Sequence, residues 1–279
     1  MNWFNHNGKM LRDNTPVIGV NNRGLRYGDG LFETMKSIKG RLILTDEHFA
    51  RLWKGMKMLR FSLTSHFTPD NLQLEVEELL KKNGHDAMAR IRITVFRGDG
   101  GLYDATDHKP HYIIQSLALP AGTGEWNSNG LVLGIYHDAK KSCDAFSNLK
   151  HNNFLPYAMA ALFAKEQKWN DAVVLNNYGR TCDTSMANIF LVKDELVLTP
   201  SLDEGCIAGI MRKTLLQQLA AGNHKLVEGK ISIGDLLAAD EVFLTNSIYN
   251  IRWVQSIGEK KYNNTLTQKI YTEILPTIS

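Results

Sequence analysis

The chain has 279 residues, of which 43% are hydrophobic and 22% charged, and its formal net charge is +3. This length and composition are sufficient for two domains of moderate size, each with a core of its own. Lys and Arg residues are interleaved with Asp and Glu, so the sequence has no basic stripe of the kind that binds nucleic acid. We therefore expect no nucleic-acid partner.

The three cysteines are widely spaced and form no Cys-x-x-Cys pair; they are Cys143, Cys182 and Cys206. This spacing indicates neither a disulfide framework nor a zinc site, and we expect no metal. The first residues do not combine a basic stretch with an apolar run, and no window approaches the roughly eighteen apolar residues of a membrane span. These features predict a cytoplasmic protein that does not bind a membrane.

Two helices with clear boundaries are predicted in the N-terminal half. The first covers residues 45–59, where acidic residues lie at the start and apolar residues recur at helical spacing. The second begins at Thr68-Pro69, a capping residue followed by proline, and stops at Asn83-Gly84. Beyond it, the alternation of apolar and polar residues at 89–95 predicts a half-buried strand, and 112–119 is a second strand.

The segment 120–130 is rich in turn formers and poor in aliphatic residues, so we place an interdomain linker there. The predicted domains are residues 1–119 and 131–279. In the second domain the sequence predicts strands at 131–137, 172–175 and 241–245, a hairpin at 188–198, and helices at 155–168, 209–221 and 266–274. Helices and strands mix without strict alternation, which predicts an α+β fold rather than a doubly wound sheet.

Six dispersed motifs occur in one order along the chain. They lie at residues 23–34, 47–52, 148–155, 181–190, 208–212 and 240–247. Each is weak alone, but the set in this order and spacing resembles the class IV pyridoxal-phosphate family. That family includes branched-chain aminotransferases, D-amino acid aminotransferases and 4-amino-4-deoxychorismate lyase. The resemblance implies a two-domain fold type IV architecture, pyridoxal 5′-phosphate as cofactor, a small-molecule amino substrate and a homodimer.

Lys150, in the run Asn-Leu-Lys-His-Asn-Asn-Phe-Leu, matches the lysine that holds the cofactor in this family, and the resemblance places it in the C-terminal domain. Only a primary amine can form an imine with the cofactor aldehyde, pass it to the substrate amine and then move a proton. A lysine taken alone is more often a solvated surface residue. The position of Lys150 just before an apolar helix argues for the cofactor role.

The resemblance also implies a phosphate site. Arg51 matches the phosphate-binding arginine, whose guanidinium can form two parallel hydrogen bonds to phosphate, although the outer face of a helix is an alternative position for it. Gly209 precedes a predicted helix start, where the backbone amides of Ile210 and Met211 match the anion site. Ser247 matches the small residue that completes this site, and a turn or capping role explains it equally well.

Two further residues match catalytic positions of the family. Asp183 occupies the place where most members have a glutamate beside the pyridine nitrogen, so its side chain is one methylene shorter; a simple turn residue is the alternative. A carboxylate there keeps the ring protonated and makes it an electron sink. Thr34 matches a threonine that assists proton delivery near the cofactor lysine, and a strand residue without a catalytic role is its alternative.

Within the family, several positions favour the lyase. The run Lys150-His-x-Asn, the run at 97–101 and Thr34 resemble the aminodeoxychorismate lyase pattern, which implies 4-aminobenzoate and pyruvate as products. Phe154 replaces a tyrosine of the branched-chain aminotransferases and cannot form its hydrogen bond. The arginine expected after Gly101 is absent, so recognition of a dicarboxylic substrate falls to other groups, for which the candidates are Arg97, Arg26 and His108.

Two alternatives stay open. The first is a D-amino acid or branched-chain aminotransferase, which would use the same Lys150. The second is a protein that retains the fold and binds ligands without catalysis. The joint presence of Lys150, Arg51 and an acid at position 183 argues against the second alternative.

Overall fold

The computed structural model describes residues 2–278, and the chain divides into two compact units. The first unit runs up to Thr123 and includes Lys150–Asn153; the second comprises Gly124–Leu149 and the chain from Phe154 onward. Each unit combines a sheet with helices, so the α+β class is confirmed. Lys150, expected in the C-terminal domain, is grouped with the first unit because its backbone pairs with a strand of that unit.

The first unit contains six strands and three helices. They are β1 (Trp3–His6), β2 (Lys9–Arg12), α1 (Arg23–Tyr27), β3 (Gly30–Ile38), β4 (Arg41–Leu42), α2 (Thr45–Met58), α3 (Pro69–Asn83), β5 (Met88–Arg97) and β6 (Pro110–Ala118). The strand order is β2-β1-β6-β5-β3-β4, with antiparallel pairs throughout. The predicted helices and strands of this half are confirmed.

Helix α3 shows how local sequence sets an element boundary. The Thr68 hydroxyl accepts a hydrogen bond from the Asn71 amide at 3.2 Å, and Pro69 occupies the first turn, where it loses no helical hydrogen bond. The helix ends at Gly84, which adopts a left-handed conformation with φ 65°. The apolar side of the helix is fully buried and consists of Leu72, Val76, Leu79 and Leu80.

Strands β3 and β5 pair over their whole length and give the sheet two chemically different faces. Successive side chains of a strand point to opposite faces. The face toward α2 is buried and carries Leu31, Glu33, Met35, Ile91 and Ile93. The opposite face is rich in polar and cationic side chains and carries Phe32, Thr34, Lys36, Arg90, Arg92 and Thr94. The β3–β5 pair thus presents a single buried carboxylate to one side and cations to the other.

The second unit contains a mixed sheet and four helices. Its elements are β7 (Leu131–Lys141), α4 (Leu155–Glu166), β8 (Asp171–Asn176), β9 (Thr181–Thr184), β10 (Asn188–Lys193), β11 (Leu196–Pro200), α5 (Ile210–Ala221), β12 (Leu226–Gly229), α6 (Ile233–Ala238), β13 (Glu241–Asn246), β14 (Asn250–Ile257), β15 (Lys260–Lys261) and α7 (Thr265–Ile274). Short 3-10 turns lie at Leu202–Glu204 and Leu275–Thr277. The predicted helices, strands and hairpin of this half are confirmed.

The sheet of the second unit has the order β12-β11-β10-β13-β14-β7-β8-β9, with β15 beside β14. Its pairs are parallel where β7 meets β8 and β14, and where β11 meets β12. An apolar cluster built on this sheet includes Leu133, Val173 and Val242, all fully buried. Among residues 2–278, no helix is long and apolar enough to cross a membrane.

Candidate active site

Lys150 is held by backbone hydrogen bonds to the first residues of β3. The Phe32 amide donates to the Lys150 carbonyl oxygen at 2.8 Å, and the Asn152 amide donates to the Gly30 carbonyl oxygen at 2.9 Å. Leu31 and His151 lie directly opposite each other in this antiparallel bridge. The half-buried Lys150 side chain therefore lies on the same face of the sheet as Phe32, and its Nζ is 4.5 Å from the centre of the Phe32 ring.

Arg92 contacts the same aromatic ring. Its guanidinium carbon is 3.9 Å from the centre of the Phe32 ring, and its Nε donates to the Thr94 hydroxyl at 3.2 Å. Burial lowers the pKa of Arg92, with a smaller contribution from the charge of Arg90. Thr34, half-buried, lies opposite Arg92 in the strand register. Lys150, Thr34 and Arg92 are thereby brought to one face of the β3–β5 pair.

Lys36 adds another cation to this face. It is 4% exposed and lies opposite Arg90 in the register. Burial lowers the pKa of Lys36 to about 8, because the charged ammonium loses hydration. At neutral pH the side chain is still mainly protonated, so the face is positively charged.

Arg51, expected to bind phosphate, forms a two-bonded ion pair with Glu33 on the other side of β3. Arg51 Nε donates to Glu33 Oε1 at 2.7 Å, and Nη2 donates to Oε2 at 2.5 Å. His48 Nδ1 lies 2.7 Å from Oε2, which requires a proton on that nitrogen. Burial by itself raises the pKa of Glu33, but the Arg51 charge and the His48 hydrogen bond outweigh it and hold the pKa at about 2.

Arg97, proposed from the sequence as a substrate contact, is 7% exposed and bonded to the protein. Its Nε lies 3.1 and 3.2 Å from the two carboxylate oxygens of Asp29, while its other nitrogens donate to the Leu59 carbonyl oxygen at 2.5 Å and to the Arg60 carbonyl oxygen at 3.3 Å. Arg97 Nη1 also donates a hydrogen bond to His108 Nδ1 at 3.1 Å. These contacts fix the residues that follow α2 and favour a structural role for Arg97.

The other two sequence candidates for substrate recognition are exposed. His108 lies in the loop between β5 and β6 and accepts the bond from Arg97. Arg26 lies in α1, with its guanidinium carbon 5.1 Å from the centre of the Tyr27 ring. Neither residue lies on the β3–β5 face that carries Thr34 and Arg92, so that face supplies the stronger candidates.

In the second unit, Asp183 lies at the centre of a buried hydrogen-bond cluster. Its Oδ2 accepts from the Tyr157 hydroxyl at 2.8 Å and from the Ile207 amide at 2.9 Å, and its Oδ1 accepts from Asn188 Nδ2 at 2.8 Å. Lys141 Nζ is 3.8 Å from Oδ2. Burial raises the pKa of Asp183, and the nearby ammonium of Lys141 opposes that rise. These interactions make a plain turn role for Asp183 untenable.

The start of α5 is built against this cluster. Asn188 Nδ2 also donates to the Ile207 carbonyl oxygen at 2.8 Å, and a Cβ at Gly209 would collide with Asn188 Oδ1. Gly209 is the residue before the helix, and the amides of Ile210 and Met211 lie in the first turn, where a helix leaves its amides without helical partners. The glycine thus lets the helix start lie close to the residues that hold Asp183.

Ser247 lies in the turn between β13 and β14 and is half-buried. The turn is held by Asn246, whose side-chain oxygen accepts from the amides of Ile248 at 3.0 Å and Tyr249 at 2.8 Å. Thr245, two residues before Ser247, pairs with Asn188 in the sheet. Within the second unit, the register therefore brings Ser247 toward the same strand end as Asn188.

The sequence analysis assigned no role to several residues that the structure places beside Arg51, Thr34 or Asp183: Glu33, His48, Arg92, Lys141, Tyr157 and Asn188. One signal was available, since Glu33 interrupts the apolar positions Leu31 and Met35 on the buried face of β3. A carboxylate at such a position requires a charged partner. The other five depend on contacts between distant segments and have no comparable local signal.

Comparison with known proteins adds independent information. Residues 30–257 match the model of the amino-transferase class IV family. An aminodeoxychorismate lyase of Vibrio harveyi is 31% identical over 243 residues, which covers 86% of this chain and 88% of that protein. A D-alanine aminotransferase of Bacillus licheniformis is 25% identical over 289 residues, 98% of this chain and 95% of that protein.

A solved structure is similar over almost the whole chain. The branched-chain aminotransferase of Thermoproteus uzoniensis, crystallised with norvaline, superimposes with a TM-score of 0.88 over 99% of this chain and 94% of that chain, at 21% identity. At this identity the likeness concerns the fold alone. It confirms the two-domain fold type IV architecture expected from the motifs.

Proposed function

This chain is an enzyme of the amino-transferase class IV family, and we propose that it binds pyridoxal 5′-phosphate on Lys150 and acts as a 4-amino-4-deoxychorismate lyase. The products would be 4-aminobenzoate and pyruvate. The observation that carries the proposal is the position of Lys150 beside Phe32, on a strand face that also presents Thr34 and Arg92. The similarity to the Vibrio harveyi lyase supports the choice of reaction.

The residues present fit this cofactor. The first amides of α5, the close approach permitted by Gly209 and the hydroxyl of Ser247 suit a phosphate in the second unit, and the Arg51 guanidinium is by its own chemistry a phosphate ligand. Asp183 suits the ring nitrogen, because Oδ1 accepts one bond among the described residues and a carboxylate oxygen can accept two. When bound, the cofactor would supply an electron sink for chemistry at the substrate Cα.

The residues of the chain would perform the remaining tasks. Lys150 Nζ would hold the cofactor covalently, yield it to the substrate amine, and then take the proton from the substrate Cα. Thr34, on the same strand face, would assist the delivery of that proton to the product. Asp183 would stabilise the proton on the ring nitrogen, and its three hydrogen bonds would keep the carboxylate in one orientation.

The charge of the β3–β5 face favours an anionic substrate. Lys36, Arg90 and Arg92 all project from this face, and Lys36 and Arg92 lose hydration there. Desolvated cations bind carboxylates more strongly than hydrated ones do. A dicarboxylic substrate matches this face better than a branched aliphatic side chain does. Arg92 would therefore take the recognition role first sought among Arg97, Arg26 and His108.

An aminotransferase is the second candidate function, because similarity to the Bacillus licheniformis D-alanine aminotransferase extends over 98% of this chain. Here Lys150 would again move the proton taken from the substrate carbon, the amino group would pass to an acceptor 2-oxo acid, and the donor would leave as its keto acid. The cationic face argues for the lyase, since neither D-alanine nor L-leucine has a charged side chain.

Product identification tests the choice. The purified chain, incubated with pyridoxal 5′-phosphate, is offered aminodeoxychorismate, or D-alanine or L-leucine with 2-oxoglutarate. Appearance of 4-aminobenzoate supports the lyase, and keto acid with no 4-aminobenzoate supports the aminotransferase. If neither product forms and no absorbance band appears at roughly 410–430 nm, the chain is a non-catalytic binding protein.

We further propose that the enzyme is a cytoplasmic homodimer and that its product enters folate biosynthesis. The class IV resemblance supports the dimer, and the 4-aminobenzoate product supports the pathway. Light scattering on the cofactor-loaded protein tests the dimer, for which a monomer mass would be the contrary result.

A further inference from the structure

Arg51 forms an ion pair with the buried carboxylate of Glu33. An arginine that only binds phosphate does not need such a partner. Glu33 is 1% exposed and projects from the apolar face of β3 between Leu31 and Met35. Burial of a carboxylate costs free energy, and apolar residues of similar volume often replace buried ion pairs without loss of stability. A purely structural role therefore gives little reason for an acid at this position.

We propose that Glu33, oriented by His48, is a positioning residue that sets the plane of the Arg51 guanidinium for phosphate, and so determines the preference for the phosphorylated cofactor. This inference rests on the proposed function, because it takes Arg51 as a phosphate ligand.

The geometry supports a positioning role. Glu33 engages Arg51 Nε and Nη2 together, with both carboxylate oxygens used. A guanidinium held along one edge by two parallel bonds has a fixed plane, and a long side chain that would otherwise sample many rotamers is ordered before any ligand binds. The Arg51 side chain is 13% exposed, against 1% for Glu33. The arginine is thus the more exposed partner of the pair.

His48 completes the arrangement. Its Nδ1 lies 2.7 Å from Glu33 Oε2, the oxygen that also accepts from Arg51 Nη2, and the His48 side chain is 1% exposed. His48 and Arg51 both lie on α2, and both bond to the Glu33 carboxylate on β3. Two side chains therefore orient the acid. His48 Nε2 is buried and has no hydrogen-bond partner among the described residues. The imidazole is therefore positioned by its bond to Glu33.

Two ligands that differ only in the phosphate test the proposal. Dissociation constants are measured for pyridoxal 5′-phosphate and for pyridoxal, by absorbance titration of the apoprotein, in wild type and in Glu33→Gln. The ratio of the two constants should fall about tenfold or more in the variant, with pyridoxal affinity little changed. A general loss of structure would instead weaken the binding of both ligands by the same factor, and that result would overturn the proposal.

A double-mutant cycle identifies the route of the effect. Arg51→Met should remove the phosphate preference, and adding Glu33→Gln to it should cause no further change in the ratio. Additive effects would show that Glu33 acts without Arg51. Glu33→Asp keeps a charge in the core but shortens the side chain by one methylene. This variant replaces Glu33→Gln in the experiment if Glu33→Gln does not fold. It should also lower the ratio of the two dissociation constants.

Glu75→Gln is the control, because Glu75 is an acid of the first unit, half-buried where Glu33 is buried, and it accepts a hydrogen bond from the Tyr112 hydroxyl at 2.9 Å. The ratio of the two dissociation constants in Glu75→Gln should equal that of wild type. If wild-type protein binds neither ligand, the proposed function fails. If wild type prefers the phosphorylated ligand and Glu33→Gln retains that preference, the positioning role alone fails.

Discussion

Phe32 and Lys150 contact each other twice, through a backbone hydrogen bond of 2.8 Å and through the Lys150 ammonium, 4.5 Å from the centre of the Phe32 ring. The first contact ties the chain around Lys150 to a strand in the body of the first unit. The second keeps the amine beside an aromatic ring on the cationic face. Together they explain how a lysine on a short connecting segment can hold a defined position.

Lys150→Ala should abolish cofactor attachment without unfolding the chain. The backbone bonds to Phe32 and Gly30 do not depend on the side chain, so stability should change by no more than about 1 kcal/mol. Turnover should fall at least about 1000-fold. Borohydride reduction followed by peptide mass spectrometry checks the attachment site, with Lys165→Ala, an exposed lysine of α4, as control. A reduced adduct in Lys150→Ala would contradict the assignment.

Acid should destabilise the chain partly through Glu33. The pKa of Glu33 is lowered from 4.5 to about 2 in the folded state, so the folded chain binds this proton less tightly than the unfolded chain does. The stabilisation is fully present above pH 4.5 and is lost as the pH falls toward 2; its full size is about 3 kcal/mol. Between pH 7 and pH 3, Glu33→Gln should lose about 2 kcal/mol less stability than wild type. Urea denaturation at both pH values measures this, and equal losses would contradict the prediction.

Gly209→Ala should disturb Asp183 through Asn188. The new Cβ would collide with Asn188 Oδ1, and the same amide group holds Asp183. We expect a loss of about 1–3 kcal/mol in unfolding free energy and weaker cofactor binding. Gly222→Ala, at the other end of α5, is the control, because its Cβ would meet the His224 side chain at 3.2 Å and the Gln218 carbonyl oxygen at 3.4 Å, with no contact under 3 Å. Similar losses in the two variants would rule out the specific role of the Asn188 contact.

Arg92→Gln should weaken binding of an anionic substrate. A charge-assisted hydrogen bond contributes about 1.5–3 kcal/mol, so KM for aminodeoxychorismate should rise at least about tenfold, with a smaller change in kcat. Arg41→Gln, at an exposed position of β4, should behave as wild type. Steady-state kinetics on both variants check the expectation, and an unchanged KM in Arg92→Gln would remove this arginine from substrate recognition.

Local signals predicted the longer helices well. Helices α2 and α3 follow from apolar periodicity and, for α3, from Thr68 and Gly84 at its ends. The nine-residue strand β3 and the eight-residue strand β14 were not predicted, and neither were short elements such as β1, β9 and the six-residue helix α6. The short segments show no period, and pairing or packing with distant segments stabilises all of these elements.

By itself, the sequence determined the α+β class, the main helices and the family, because these depend on local periodicity, capping residues and the order of motifs. Only the tertiary structure decided that Glu33 meets Arg51 and His48 while Phe32 and Thr34 face Lys150 and Arg92. The physical reason is strand register: a shift of one residue moves every side chain to the opposite face, and the sequence of one strand does not state which residues of a distant segment will lie across from it.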